Sequence, residues 1–229
     1  MGPVGEMLLS GGACLVGYAH LGALPPEVRD GLDFAVSFAV ALDPRTIAGI
    51  SAGPTEEYYA EYLRANRLLD RLGLAAASLL GSEGRRATAL AATNVGIDPA
   101  THSTRLPHKT VATRAGLGWI GKCALLVTKE FGSAIRLASV LTNAELPAAQ
   151  PVDRSSCGTC IACVEACPGR APSGNDWRVG TQRDSFFDAF ACRRTARALA
   201  AKIGIDETFC GICIAACPWT KRHLDRSLL

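Results

Sequence analysis

The chain has 229 residues, 48% hydrophobic and 20% charged, the balance of a globular protein with a sizeable core rather than a disordered or fibrous one. A formal charge of +3 is too mild to argue for nucleic acid by itself. No apolar run approaches the roughly 18 residues that a membrane-spanning helix needs. The opening MGPVGEMLLSGGACLVG lacks the basic flank and clean apolar stretch of a secretory leader, and Glu6 stands where a myristoylation pattern wants Ser or Thr. A cytoplasmic protein with no membrane association is expected.

In chain order, ACLVGYA (13–19) and DFAVSFAVAL (33–42) are apolar runs rich enough in Val and Phe to be buried strands. From Thr55 to Gly81 apolar residues recur at three- and four-residue steps: Tyr58/Tyr59, Tyr62/Leu63, Leu69, Leu72, Ala76 and Leu79/Leu80. That period puts them on one helix face, and Thr55 before Glu56 and Glu57 suits a helix start. RATALAAT (86–93) reads as a further strand. Beyond Cys123, ALLVT and AIRLASVLT flank KEFGS, which reads as a pair of short strands joined by a Gly-containing turn. The fold class is α+β, a sheet with helices against it over residues 1–150. The unpatterned LPAAQPVDRSS (146–156) marks a boundary, and 151–229 reads as a cysteine domain with one helix around Ser185–Lys202.

Ten cysteines are an excess, and eight of them fall between 157 and 217. CGTCIACVEACP spaces Cys157, Cys160, Cys163 and Cys167 as C-x2-C-x2-C-x3-C-P, the run of bacterial two-cluster ferredoxins. In that arrangement three thiolates wrap one cubane and the fourth crosses to the other. CGICIAACP supplies Cys210, Cys213 and Cys217, one cysteine short of a second full run, and Cys192 can complete the set. The expected assignment is Cys157, Cys160, Cys163 and Cys217 for one [4Fe–4S] cluster, with Cys167, Cys192, Cys210 and Cys213 for the other. Zinc is the alternative, since paired C-x2-C knuckles bind it, but zinc knuckles do not need so tight a run. Disulfides fit less well, because cysteines this closely spaced pair poorly. Two clusters would bring the formal charge from +3 to about −1. Cys14 and Cys123 read as structural residues.

AGLGWIGKC (115–123) matches both the dinucleotide fingerprint G-x-G-x-x-G and the P-loop G-x-x-x-x-G-K. Both motifs require a strand before the glycines and a helix after them. Here HKTVATRA is helix-like and CALLVT strand-like, so the order is reversed and Gly116 fits a helix C-cap. Cys123 also stands where a P-loop needs a hydroxyl for Mg²⁺, a metal that prefers oxygen. Neither nucleotide reading survives its context.

AGLGWIGK, a segment ending VLTNAELP, then CGTCIACVEACP, a lone Cys and CGICIAACPW together resemble epoxyqueuosine reductase, specifically over about residues 105–220. That family is similar in turn to the reductive dehalogenases. The resemblance implies a nitroreductase-like N-terminal domain holding cobalamin, followed by a bacterial ferredoxin-like double [4Fe–4S] domain, with a ferredoxin or flavodoxin as electron donor. It implies that Gly116, Gly118, Trp119, Gly121 and Lys122 approach the corrinoid, with His108 and Lys109 as further contacts. Members that act on tRNA continue into a helical-repeat region, whereas this chain ends twelve residues after Cys217. Their Gly-Arg-Asp-Tyr-His segment, which carries the proposed proton donor, has SAGPTEEYYAEY at its place here. The expectation is therefore a short form, a cobalamin-dependent reductase of a small or nucleoside-like substrate rather than of tRNA.

Glu57, Tyr58 and Tyr59 are the candidate proton donors, set against the reading that they are first turn and helix core. His20, His102 and His223 are expected in loops or at the surface. A second function is electron transfer through the two clusters to a partner's corrinoid or enzyme. A third, a cluster-based redox sensor, would use Arg193, Arg194 and Arg197 as a nucleic-acid surface, although a solvated helix face explains them equally.

Overall fold

A computed structural model describes residues 2–93 and 96–228. The chain forms two compact units that interleave in sequence. One comprises the chain up to Ala41, Arg64–Gly118 and Arg136–Val152, the other Leu42–Leu63, Trp119–Ile135 and the chain from Asp153 onward. The connector at 146–156 is thus one of several crossing points. Residues 42–63 and 119–135 join the cysteine-rich segment, where a division at 150 would place them with the sheet.

The first unit is built on a four-stranded sheet. Helix α1 (Pro3–Ser10) leads into β1 (Leu15–His20), which pairs antiparallel with β2 (Phe34–Ala41). β3 (Ala87–Leu90) pairs antiparallel with β6 (Ile135–Thr142), giving the order β1-β2-β6-β3. β2 is a near-continuous apolar run because both its faces are covered. Phe38 lies toward α3 (Glu56–Ser82), where a Cβ on Gly73 would stand 3.7 Å from its ring. Ala35, on the opposite face by strand alternation, packs with Val111 of α4 (His108–Arg114). The helical face read from the sequence is the buried one: Leu69, Leu72, Ala76 and Leu80 are all 5% exposed or less. Truncating Leu69, which is fully buried, costs about 2–5 kcal/mol.

In the second unit β4 (Trp119–Ile120) pairs with β5 (Leu126–Val127) as a small hairpin. This corrects the expected pairing of ALLVT with AIRLASVLT. β6 is eight residues long with most positions buried, so it seats between β2 and β3, and its predecessor turns back on β4 instead. Helix α2 (Pro44–Ala48) is capped by Asp43, whose carboxylate accepts from Thr46 N–H at 2.8 Å. α5 (Ala162–Glu165), α6 (Ala189–Ala201), α7 (Ile212–Ala216) and α8 (Pro218–Leu228) complete the unit, where the sequence reading gave one helix. α8 packs on α2, and its Thr220 Oγ1 accepts from Ser133 N–H at 3.0 Å. His223 of α8 is not a surface residue: it is 9% exposed with its ring 5.0 Å from that of Phe131. Among the described residues no helix is long and apolar enough to cross a membrane.

Candidate functional site

The glycine stretch has the helix-to-strand order that its context demanded. α4 ends at Arg114, and Gly116 follows at φ +71°. Leu117 N–H reaches Ala112 O at 3.0 Å and Gly116 N–H reaches Thr113 O at 3.2 Å. Those two bonds are a Schellman cap, which satisfies the last carbonyls of the helix. Trp119 then opens β4, and the segment from Trp119 to Cys123 packs inside the cysteine-rich unit. A Cβ on Gly121 would stand 2.8 Å from Val127 Cγ2, so glycine is what lets the two hairpin strands close here, and the same position lies 3.5 Å from Cys157 Sγ, in ordinary contact with the first cysteine run.

Lys122 is 5% exposed, and its ammonium donates to Gly158 O at 2.7 Å, inside the Cys157–Cys160 turn. Asp176 Oδ1 lies 3.9 Å away. Cys123 is 4% exposed and shares hydrogen bonds with the thiols of Cys163 and Cys213. Cys163 is pushed far up, first by its bond with Cys123 and then by burial. Trp119 packs edge-on to Trp219 with ring centres 5.3 Å apart. Its Nε1 is buried and has no hydrogen-bond partner among the described residues. Trp219 lies two residues past Cys217, so this orphan donor sits beside the cysteine runs. Such a donor costs about 1–3 kcal/mol unless an acceptor meets it.

The cysteines fall into two neighbourhoods. Burial raises the Cys217 thiol, and the charges of Cys157 and Cys163 raise it further. Burial likewise raises Cys210, which also feels Cys167. The second run's last cysteine thus lies within electrostatic reach of the first run. Cys157–Gly158 and Cys210–Gly211 repeat one local geometry, with the glycines at φ +57° and +86°. A Cβ on Gly211 would also collide with Ile50 and stand 2.9 Å from Tyr58 Cε1. Cys192 is half-buried in the first half of α6. Among the described residues no three His, Cys, Asp or Glu side chains converge as a single metal ion requires. A cubane holds its ligands farther apart, on four separate irons.

His108 is 6% exposed, with Nδ1 3.1 Å from Ser139 Oγ and Nε2 2.9 Å from Ala91 O. A carbonyl only accepts, so Nε2 carries the proton and Nδ1 accepts from the serine hydroxyl. Both ring nitrogens are thus engaged inside the protein. Lys109 is half-buried and Gly118 buried, while Gly116 serves the cap. Tyr58 is 4% exposed with its ring 5.8 Å from Phe209, and Tyr59 lies 5.1 Å from the same ring. The two tyrosines therefore pack beside Cys210. Glu57 faces solvent, and bonds to its own backbone amide and to the Thr55 hydroxyl hold its carboxyl below the ordinary range, the reverse of what a proton donor needs. Arg197 of the α6 arginines is ion-paired with Asp206. In the first unit a mainly apolar cleft of about 330 Å³, lined by Val28, Leu90, Leu106 and Leu141 with Arg105, is sized for a small molecule.

Residues 156–220 match the 4Fe-4S double cluster binding domain. This segment is a double [4Fe–4S] domain. Among curated proteins the chain is 40% identical over 111 residues to the epoxyqueuosine reductase of Lactococcus garvieae (strain Lg2), covering 48% of this chain and 31% of that protein. Among solved structures it superposes with a TM-score of 0.74 and 18% identity on a reductive dehalogenase described in terms of B12-dependent dehalogenation. That match covers 98% of this chain and 33% of the other. It superposes with a TM-score of 0.61 and 20% identity on an epoxyqueuosine reductase bound to a tRNA-Tyr stem loop, covering 95% and 64%. The chain spans about a third of the length of the curated relatives it matches. It is epoxyqueuosine reductase-like in sequence, and it has the fold shared with reductive dehalogenases.

Proposed function

We propose that this protein is an iron–sulfur reductase that moves electrons through two [4Fe–4S] clusters. Cys157, Cys160, Cys163 and Cys217 hold one cluster, and Cys167, Cys192, Cys210 and Cys213 the other. The observation that carries this reading is the match of residues 156–220 to the 4Fe-4S double cluster binding domain, with Cys217 within electrostatic reach of Cys157 and Cys163 and Cys210 of Cys167. When bound, the clusters supply one-electron storage at low potential. The chain's part is to bury and space the thiolates, to exclude water with Trp119, Trp219 and Phe209, and to hold the hairpin against the first run through Gly121 and Lys122.

Likeness to a B12-dependent dehalogenase and to epoxyqueuosine reductases makes a corrinoid the acceptor to test, with a small or nucleoside-like substrate and a ferredoxin or flavodoxin donor. Several of the residues expected to approach that group are already engaged within the protein, although Trp119 keeps a buried Nε1 with no partner among the described residues. Gly121 and Lys122 are engaged with the first cysteine run, Gly116 caps a helix, and both nitrogens of His108 are used internally. The same occupancy favours a second reading, in which the clusters serve a corrinoid or enzyme carried by a partner.

Anaerobic purification with added hydroxocobalamin, followed by the visible spectrum, separates the two. Cluster absorbance with a co-eluting stoichiometric corrinoid supports a resident cofactor. Clusters alone support the relay, and a colourless protein overturns both.

A further inference from the structure

Burying an ammonium is expensive unless negative charge meets it. Lys122 is buried all the same, and its partners are one neutral carbonyl, Gly158 O at 2.7 Å, and a half-exposed carboxylate 3.9 Å off, Asp176. An ammonium has three donors, and the carbonyl takes one. Gly158 lies within the first cysteine turn, directly after Cys157. Across Gly121 the same hairpin approaches Cys157. The site thus lacks a full counter-charge in the protein alone, and it lies where four thiolates and a cubane would bring about −2.

We propose that Lys122 is a positioning residue for the electron: its buried ammonium, fixed to the Gly158 carbonyl, raises the reduction potential of the cluster held by Cys157, Cys160, Cys163 and Cys217 relative to its neighbour. This rests on the two-cluster reading above. Reduction takes one electron from the donor and adds one negative charge to the cluster, with no bond made or broken. A fixed positive charge beside the cluster favours the reduced state, and the effect falls off with distance. An electron shared between the two clusters is therefore biased toward the first. Arg keeps the charge at this position, whereas Gln keeps only a donor.

The test is an EPR-monitored redox titration with dithionite on the full chain after anaerobic reconstitution, with iron counted first. About eight irons in the wild type uphold two clusters, while about four or fewer overturn the two-cluster reading independently of Lys122. In Lys122→Gln one cluster's equilibrium constant for reduction falls tenfold or more, which is about 59 mV for one electron, and the other moves far less. Lys122→Arg restores the wild-type value. Equal midpoints in wild type and Lys122→Gln, with iron retained, overturn the proposal. If Lys122→Gln does not retain iron, Asp176→Asn decides: removing that carboxylate raises the same midpoint if the proposal holds, and an unmoved midpoint overturns it.

Discussion

The thiol of Cys123 interacts with those of both Cys163 and Cys213. The cysteine that the spacing rules leave out therefore touches one proposed member of each quartet. Its burial and its place in the hairpin make it a spacer. Cys123→Ala is expected to keep both clusters, with iron per chain unchanged and stability lowered by about 1 kcal/mol. Cys163→Ala is expected to lose about half the iron. Iron loss from Cys123→Ala equal to that from Cys163→Ala would make Cys123 a ligand and undo the assignment.

Burial pushes up the thiols of Cys210 and Cys217, and the Cys123 bond followed by burial does so for Cys163. Clusters bind thiolates, so loading expels these protons, and assembly strengthens as pH rises from about 7 toward about 9. The empty fold responds with the opposite sign. Unfolded thiols ionise near pH 8.5 while these stay protonated, so apo stability falls as pH rises above that point. Reconstitution yield and apo denaturation midpoints across this range check both slopes. A yield that falls with pH contradicts the account.

His108 is held below the ordinary imidazole range by burial, then by nearby Arg136, against the opposing pull of Ala91 O. Its depressed folded value means that the unfolded chain protonates first. Stability is therefore intact above about pH 6.5 and declines as pH falls below it. Replacing it by Gln removes that proton from the linkage, so urea midpoints of His108→Gln should change less between about pH 7 and pH 5 than those of the wild type. Parallel pH profiles would show that His108 is not buried in its neutral form.

The two glycines of the cysteine turns differ in cost. Gly158 has open space around its Cβ position, so Gly158→Ala meets only the left-handed strain of about 1–2 kcal/mol. Gly211 has the same backbone strain plus collisions with Ile50 and Tyr58. Gly211→Ala is expected to exceed Gly158→Ala by at least about 1 kcal/mol. Equal losses in urea denaturation would mean that the Ile50–Tyr58 floor moves freely.

Local signals were the legible ones. The α3 face was readable because Leu69, Leu72, Ala76 and Leu80 repeat at helical steps over about three turns, and β2 because its run is apolar at every position but Ser37. The double-cluster domain was readable from the cysteine spacing, and residues 156–220 match it. α8 was missed because PWTKRHLDRSL is mostly polar, and the contacts that seat it, among them Thr220 on Gly132 and His223 on Phe131, join segments far apart in sequence. The role of Lys122 was hidden for the same reason: its partner Gly158 lies thirty-six residues on. The glycine pattern announced a close approach, but only the fold shows that cysteine sulfur is what approaches.

The division of the eight thiolates is tested most directly by EPR of the dithionite-reduced Cys217→Ser and Cys192→Ser variants. Each is expected to lose a different cluster, so that the two residual spectra are distinct and together account for the wild-type signal. Loss of the same cluster from both variants, or retention of both clusters in either one, would contradict the assignment.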